Sequence, residues 1–195
     1  MTIIGITGRA GCGKSTAAQH LISRHKFYPM SFALPFKKML VTLFECTGIP
    51  WTMDRLNTQE GKSRDLGPPF YCTTRHLLQT LGTEWGRRYI HPDVWVDIGM
   101  AYAKNLDKHV VFDDVRFDNE AIAIRREGGV IVHMVRPNTE DAVTPFHCSE
   151  SGVSRAPVGL YAVPDITLAN NGDMNDLHMA VDKILKTLRG HGHEL

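Results

Sequence analysis

The nine residues GRAGCGKST, Gly8 to Thr16, constrain this chain more than any other stretch, because they lie directly between a β-branched run and an amphipathic segment. Upstream, Ile3, Ile4 and Ile6 within Thr2–Thr7 read as a buried strand. Downstream, Ala17, Ala18, Leu21 and Ile22 recur at helical spacing within Lys14–His25. Gly8, Gly13, Lys14 and Ser15 satisfy the G-x-x-x-x-G-K-[ST] phosphate-loop pattern (Walker A), with Gly11 an extra glycine inside it. Glycine backbone turns tightly enough to aim successive N–H groups inward, where they and the positive end of the following helix hold a polyphosphate. Gly8, Gly11, Cys12, Gly13, Lys14, Ser15 and Thr16 are therefore the expected cradle for ATP, with Lys14 reaching the β- and γ-phosphates and Ser15 binding Mg²⁺. Nucleoside triphosphate binding follows, but not the reaction, since motors, switches and small-molecule kinases share the loop.

The chain's 195 residues, 43% of them hydrophobic, suffice for one substantial core, so a single domain over 1–195 is expected. Twenty-two basic residues against twenty-one acidic ones leave a net charge of +1, which argues against a general nucleic-acid or membrane-surface binder. Any anion site must be local. The opening apolar run is far too short for a signal-peptide core or a membrane span, so a cytoplasmic location is expected, and the closing GHEL has no retention address to serve. Cys12, Cys46, Cys72 and Cys148 form no C-x-x-C pair and read as isolated thiols in a reducing compartment. Cys12 is either a point of oxidative inhibition or a small tolerated side chain, and the second reading is preferred.

Further along, Tyr28–Ala33 reads as a strand, and Pro35 opens a helix with Phe36, Met39, Leu40, Leu43 and Phe44 on one apolar face. Trp51–Cys72, which includes NTQEGKSRDLGPP, is too polar and aperiodic for a core and is expected to be a long functional loop. Thr74 is the expected cap of a helix carrying Leu77, Leu78 and Leu81. After Pro92-Asp93 another helix would face Trp95, Ile98, Ala101 and Tyr102 inward. His109–Phe112, Val130–Val135 and Asp165–Leu168 read as strands, Ala121–Glu127 as a helix, Asn170-Asn171-Gly172 as a turn, and Leu177, Val181, Ile184, Leu185 and Leu188 mark a closing helix. This alternation predicts an α/β fold, a doubly wound and mainly parallel five-stranded sheet with a helical insertion at 34–106. Ligands of such sheets sit beyond the carboxyl ends of the strands.

At that edge, VVFDDVRFDNEA ends an apolar strand on two carboxylates, and Asp113 or Asp114 would hold Mg²⁺ or its waters. Arg116 and Glu120 are four apart, and if the helix has begun they share a face. Guanidinium forks grip phosphate bidentately, which makes Arg75, Arg87 and Arg88, with Gln79 and Thr83 among them, candidate acceptor contacts; Trp85 is more safely a core residue. The segment 136–164, with Arg136 at its start and Arg155 within it, is a candidate lid that would close over ATP and exclude water. His147 in HCSE is a lone loop histidine and is assigned no role.

Taken together, the phosphate loop, LLQTLGTEWGRR (77–88) with DVWV (93–96), DVRFDNEA (114–121), GGVIVHMVRP (128–137), HCSE (147–150) and DITLANNGDMNDL (165–177) resemble the bacteriophage-type deoxynucleoside monophosphate kinases over nearly the whole chain. The resemblance implies a P-loop, nucleoside-monophosphate-kinase-like fold and ATP-dependent phosphorylation of a deoxynucleoside monophosphate, in the host cytoplasm if a phage encodes it. It implies substrate and catalytic roles for Arg75, Trp95, Asp114, Arg116 and Glu120, beside Lys14 and the lid's Arg155. In SFALPFKKML the family's pattern leads one to expect an acid where Leu34 stands. A monophosphate acceptor is already an anion, so no serine–histidine pair is needed, only positioning, Mg²⁺ and positive charge. The expected partner is therefore a small-molecule substrate, not nucleic acid or membrane, for a monomer or homodimer.

Two rival classes fit the loop. Dephospho-coenzyme A kinase or another small-metabolite kinase shares the loop, insertion and lid, but its acceptor hydroxyl needs a base. A nucleotide-dependent switch would transfer nothing to a small acceptor, and the chain has no N-K-x-D base-selectivity motif. The identity of the acceptor that stimulates ADP release separates all three.

Overall fold

Ile3–Thr7 is buried at every position, so the run IIGIT shows no polar alternation and forms a strand with protein layers on both faces. The computed structural model describes residues 1–136, 165–190 and 192. In chain order its elements are β1 (Ile3–Thr7), α1 (Lys14–His25), β2 (Tyr28–Met30), α2 (Leu34–Cys46), α3 (Met53–Asn57), α4 (Gln59–Ser63), α5 (Thr74–Gln79), a π-helix (Thr80–Ile90), α6 (Val94–Lys104), β3 (Val110–Phe112), α7 (Asp118–Arg126), β4 (Val130–Val135), β5 (Ile166–Ala169) and α8 (Met174–Gly190). They form two compact units, one from Met1–Ser31 with Met100–Leu195, the other from Phe32–Gly99.

The first unit is a five-stranded, wholly parallel sheet in the order β2-β3-β1-β4-β5. Ile4 is level with Val111 of β3 on one side and Val130 of β4 on the other. One face carries Ile4, Ile6, Val132, Met134 and Leu168 against Ala17 and Leu21 of α1 and Leu177, Val181 and Leu185 of α8. Burying each of the large side chains contributes about 1.5–3 kcal/mol. Helix α7 packs instead against β1 and β4 and buries Ala121 and Ile124. The connection after β1 thus turns into a helix in one layer, while the connection after its neighbour β3 turns into a helix in the other. A crevice opens between two such loops, which is where doubly wound sheets place ligands.

The second unit is helical. Leu40, Phe44, Trp51 and Leu56 form its core, with Phe70, Leu77, Leu78 and Leu81 packed against them. Trp51 and Phe70 flank Phe44 at ring-centroid distances of 5.9 and 5.4 Å. The stretch 51–72 is therefore not the long polar loop expected: it contains α3 and α4, held down by Trp51 and Leu56. On α2 the buried residues are Leu40 and Phe44, whereas Met39 and Leu43 are exposed. Helix α6 buries Trp95 as expected, with Val96, Met100 and Ala103, while Ile98, Ala101 and Tyr102 face water, because the stripe 95-96-99-100-103 is turned about the helix axis from the expected one and shares only Trp95 with it.

Smaller differences have local causes. Strand β2 stops at Met30, and the Ser31 hydroxyl donates instead to Asp114. The cap of α5 is Thr73, whose hydroxyl accepts the His76 N–H, and Thr74 is a buried first-turn residue. Helix α7 begins at Asp118, three residues earlier than expected, because the Glu120 carboxylate satisfies N–H groups at its start. Among the described residues no helix is long and apolar enough to cross a membrane.

Candidate nucleotide-binding site

The loop from Gly8 to Gly13 is built on left-handed backbone, with φ of +142° at Gly8, +79° at Gly11 and +101° at Gly13. A side chain at Gly8 would collide with the Met134 carbonyl, and one at Gly13 would lie 2.6 Å from the Asn170 amide nitrogen. Glycine is required at both by conformation and by space. Helix α1 starts at Lys14 with no side-chain cap and no acidic residue in its first turn. The positive end of its dipole therefore faces the loop with no acidic side chain of its own first turn to offset it, which favours an anion there. Lys14 Nζ donates to the carbonyls of Gly8 and Arg9 at 2.8 Å each, which sets its charge over the curl of the loop. This chemistry fits a polyphosphate.

Cys12 is 1% exposed and packed in the core below the loop, which removes it from oxidants and leaves packing as its role. Cys12, Cys46 and Cys72 are free thiols. The Cys12 carbonyl accepts the side-chain N–H of Asn170 at 3.0 Å, while the Asn170 main-chain N–H continues the ladder to Val135. Buried at the end of β5, Asn170 braces the loop's floor; it is not merely the turn residue expected.

Next to this loop, β3 delivers Asp113 and Asp114, both half-buried, to the same edge of the sheet. Asp114 Oδ2 accepts the Ser31 hydroxyl at 2.5 Å, so the ends of β2 and β3 are joined at the carboxylate. Ser15 is exposed on the first turn of α1. A hydroxyl and two carboxylates at neighbouring strand ends are an oxygen set of the kind Mg²⁺ takes. Glu120 is 2% exposed, and its Oε2 accepts the main-chain N–H of Arg116 at 2.6 Å and of Phe117 at 3.1 Å. It thereby fixes the backbone from which the half-buried Arg116 side chain extends.

The remaining candidates belong to the helical unit. Arg75 donates to Gln59 Oε1 at 2.8 Å, Gln79 is half-buried one turn further along α5, and Arg87 donates to the Pro92 carbonyl at 3.2 Å. Trp95 is 3% exposed and donates its indole N–H to the Gly82 carbonyl at 2.8 Å. Its ring fills space that any side chain at Gly86 would occupy, and Trp85 and Phe36 lie 6.0 and 5.1 Å away. Arg136 directly follows β4 and is exposed, whereas Arg155, His147, Cys148 and the rest of the candidate lid lie outside the described residues.

Ser31 and Asn170 are the residues that sequence reasoning missed. Both are polar and both immediately follow strands at the ligand edge, which is the one signal that singles them out.

A phosphate-binding loop between the central strand and first helix of a parallel 2-3-1-4-5 sheet defines a P-loop protein of the small-molecule-kinase type. Its fold is shared with dephospho-CoA kinase from Campylobacter jejuni, at a TM-score of 0.50 and 14% identity over 98% of both chains. Residues 69–181 match the model of the deoxynucleotide monophosphate kinase family. A protein of Acanthamoeba polyphaga mimivirus, provisionally named a deoxynucleotide monophosphate kinase, is 34% identical over 93% of this chain and 94% of its own. The deoxynucleoside-5'-monophosphate kinase of Escherichia phage T5 is 32% identical over 43% of this chain and 36% of its own. The chain belongs to the deoxynucleotide monophosphate kinase family.

Proposed function

We propose that this chain transfers the γ-phosphoryl group of ATP to a deoxynucleoside monophosphate, releasing ADP and the deoxynucleoside diphosphate. The observation that carries the reading is the uncapped, cation-bearing phosphate loop beside the Asp113–Arg116 segment, in a chain of this family. An oxygen of the acceptor phosphate forms the new P–O bond as the bond from the γ-phosphorus to the β–γ bridging oxygen breaks, and the electron pair leaves with ADP. The acceptor oxygen is anionic, so no base is required. Ser15 and Asp113 or Asp114 would hold Mg²⁺, which would supply charge neutralisation at the β- and γ-phosphates.

Lys14 follows the charge of the moving group. Arg116 spans donor and acceptor phosphates with its planar fork, and Glu120 positions the backbone of Arg116. Arg75, Gln79, Arg87 and Trp95 of the 34–106 insertion serve the acceptor, the last of them through packing. Arg155, with Arg136 as the alternative, acts when the 136–164 lid closes. The enzyme works on small molecules in the cytoplasm, as a monomer or homodimer, within a single kinase domain.

Coupled ADP release across the deoxy- and ribonucleoside monophosphates tests the reading. Stimulation by one or more deoxynucleoside monophosphates is expected. Stimulation only by a hydroxylated metabolite, or by no small acceptor, would overturn it.

A further inference from the structure

Away from the phosphate loop, α1 and α8 bring three metal-ligating side chains to one point. His20 Nε2 and His25 Nε2 of α1 lie 2.8 and 2.7 Å from the same oxygen, Oδ1 of Asp182 on α8. All three donor atoms fall within 4.8 Å of one another. We propose that His20, His25 and Asp182 bind one divalent ion of the zinc class, which ties α1 to α8 and is separate from the Mg²⁺ of the reaction.

The geometry is close to what such an ion needs. Bonds of about 2.0–2.2 Å in a tetrahedron set neighbouring ligand atoms roughly 3.3–3.5 Å apart. The two N···O separations must therefore widen by only about half an ångström or slightly more, and the Asp182 side chain, 42% exposed, has room to give. The imidazoles are more covered, at 11% for His20 and 21% for His25, so the site has a protein-lined back and an open carboxylate side where water takes the fourth position.

The ring of His178, one turn before Asp182 on α8, stacks on that of His20 at 4.2 Å and 13°, holding the His20 plane in place. Outer groups that orient a ligand imidazole are a recurrent part of metal sites. With their protons on Nδ1, both histidines offer Nε2 lone pairs to the ion. Two imidazole nitrogens and one carboxylate favour zinc over magnesium or calcium, which take oxygen ligands. His20 and His25 follow Lys14 by six and eleven residues on the same helix, or roughly 9 and 16 Å of rise, too far for one ion to serve both places.

The test uses untagged full-length protein carrying His191→Ala and His193→Ala, so that the terminal HGH run adds no ligands. Calorimetric titration with ZnCl2 in millimolar Mg²⁺ and without nucleotide should show one site of micromolar or tighter affinity, with an upward shift in melting temperature. Co²⁺ in its place should give the visible absorption of a tetrahedral nitrogen–oxygen site. His25→Ala and Asp182→Ala should each weaken zinc binding by about tenfold or more, with circular dichroism confirming that they fold. Absence of a stoichiometric zinc site and of the cobalt band would overturn the proposal, as would undiminished binding in either folded variant.

Discussion

Lys14 holds its ammonium over the carbonyls of Gly8 and Arg9, and no hydrophobic contact of the core depends on it. Lys14→Ala should lower kcat by about 10²–10³ while leaving the circular dichroism spectrum unchanged; near-normal turnover would remove the loop from the reaction. At Arg116 an ammonium cannot replace the planar fork, so Arg116→Lys and Arg116→Ala should both be severely impaired in steady-state kinetics. Glu120 works through two main-chain N–H groups. Glu120→Gln keeps an acceptor oxygen for them and should be intermediate, whereas Glu120→Ala orphans both and should cost about 2–3 kcal/mol in urea unfolding. The sequence makes Lys14 and Ser15 legible because their chemistry lies within one short motif. Ser31 and Asn170 were hidden because their partners are 83 and 158 positions away, and nothing local announces a bond that only the sheet creates.

Elements were legible wherever a period had room to repeat. Helix α8 shows Leu177, Val181, Leu185 and Leu188 over 17 residues, and its buried face was readable. Helices α3 and α4 have five residues each, too few for a period to show among charged neighbours, so Leu56 and Gly61 alone mark their buried sides. The π-helix defeats the reading differently, since bonding from i to i+5 shifts every face after Thr80 away from the ordinary helical period. Trp95 sits against that segment in the space left by Gly86. Gly86→Ala should therefore destabilise the protein by about 1–3 kcal/mol through overpacking, measured by thermal or urea unfolding. Unchanged stability would mean that the Trp95 ring is not seated there.

At the scale of the whole molecule, the parallel sheet was evident from alternating apolar strands and helices, and the five strands occur where expected to within three residues at either end. Mg²⁺ with a non-hydrolysable ATP analogue at 100 times its dissociation constant should stabilise the protein by about 2.7 kcal/mol, read as a rise in melting temperature that Lys14→Ala diminishes. The order of strands also sets a timetable for synthesis. Ile3 pairs with Val110, and Ile4 with both Val111 and Val130, so β1 leaves the ribosome about a hundred residues before either neighbour exists. At about 5–20 residues per second the strand waits roughly 5–20 s with both edges bare. The unit Phe32–Gly99 is continuous in sequence and has every one of its residues in hand during that interval. Nascent chains halted before Val110 therefore carry IIGIT as an unpaired apolar segment whose two edges stay open until the sheet can close around it.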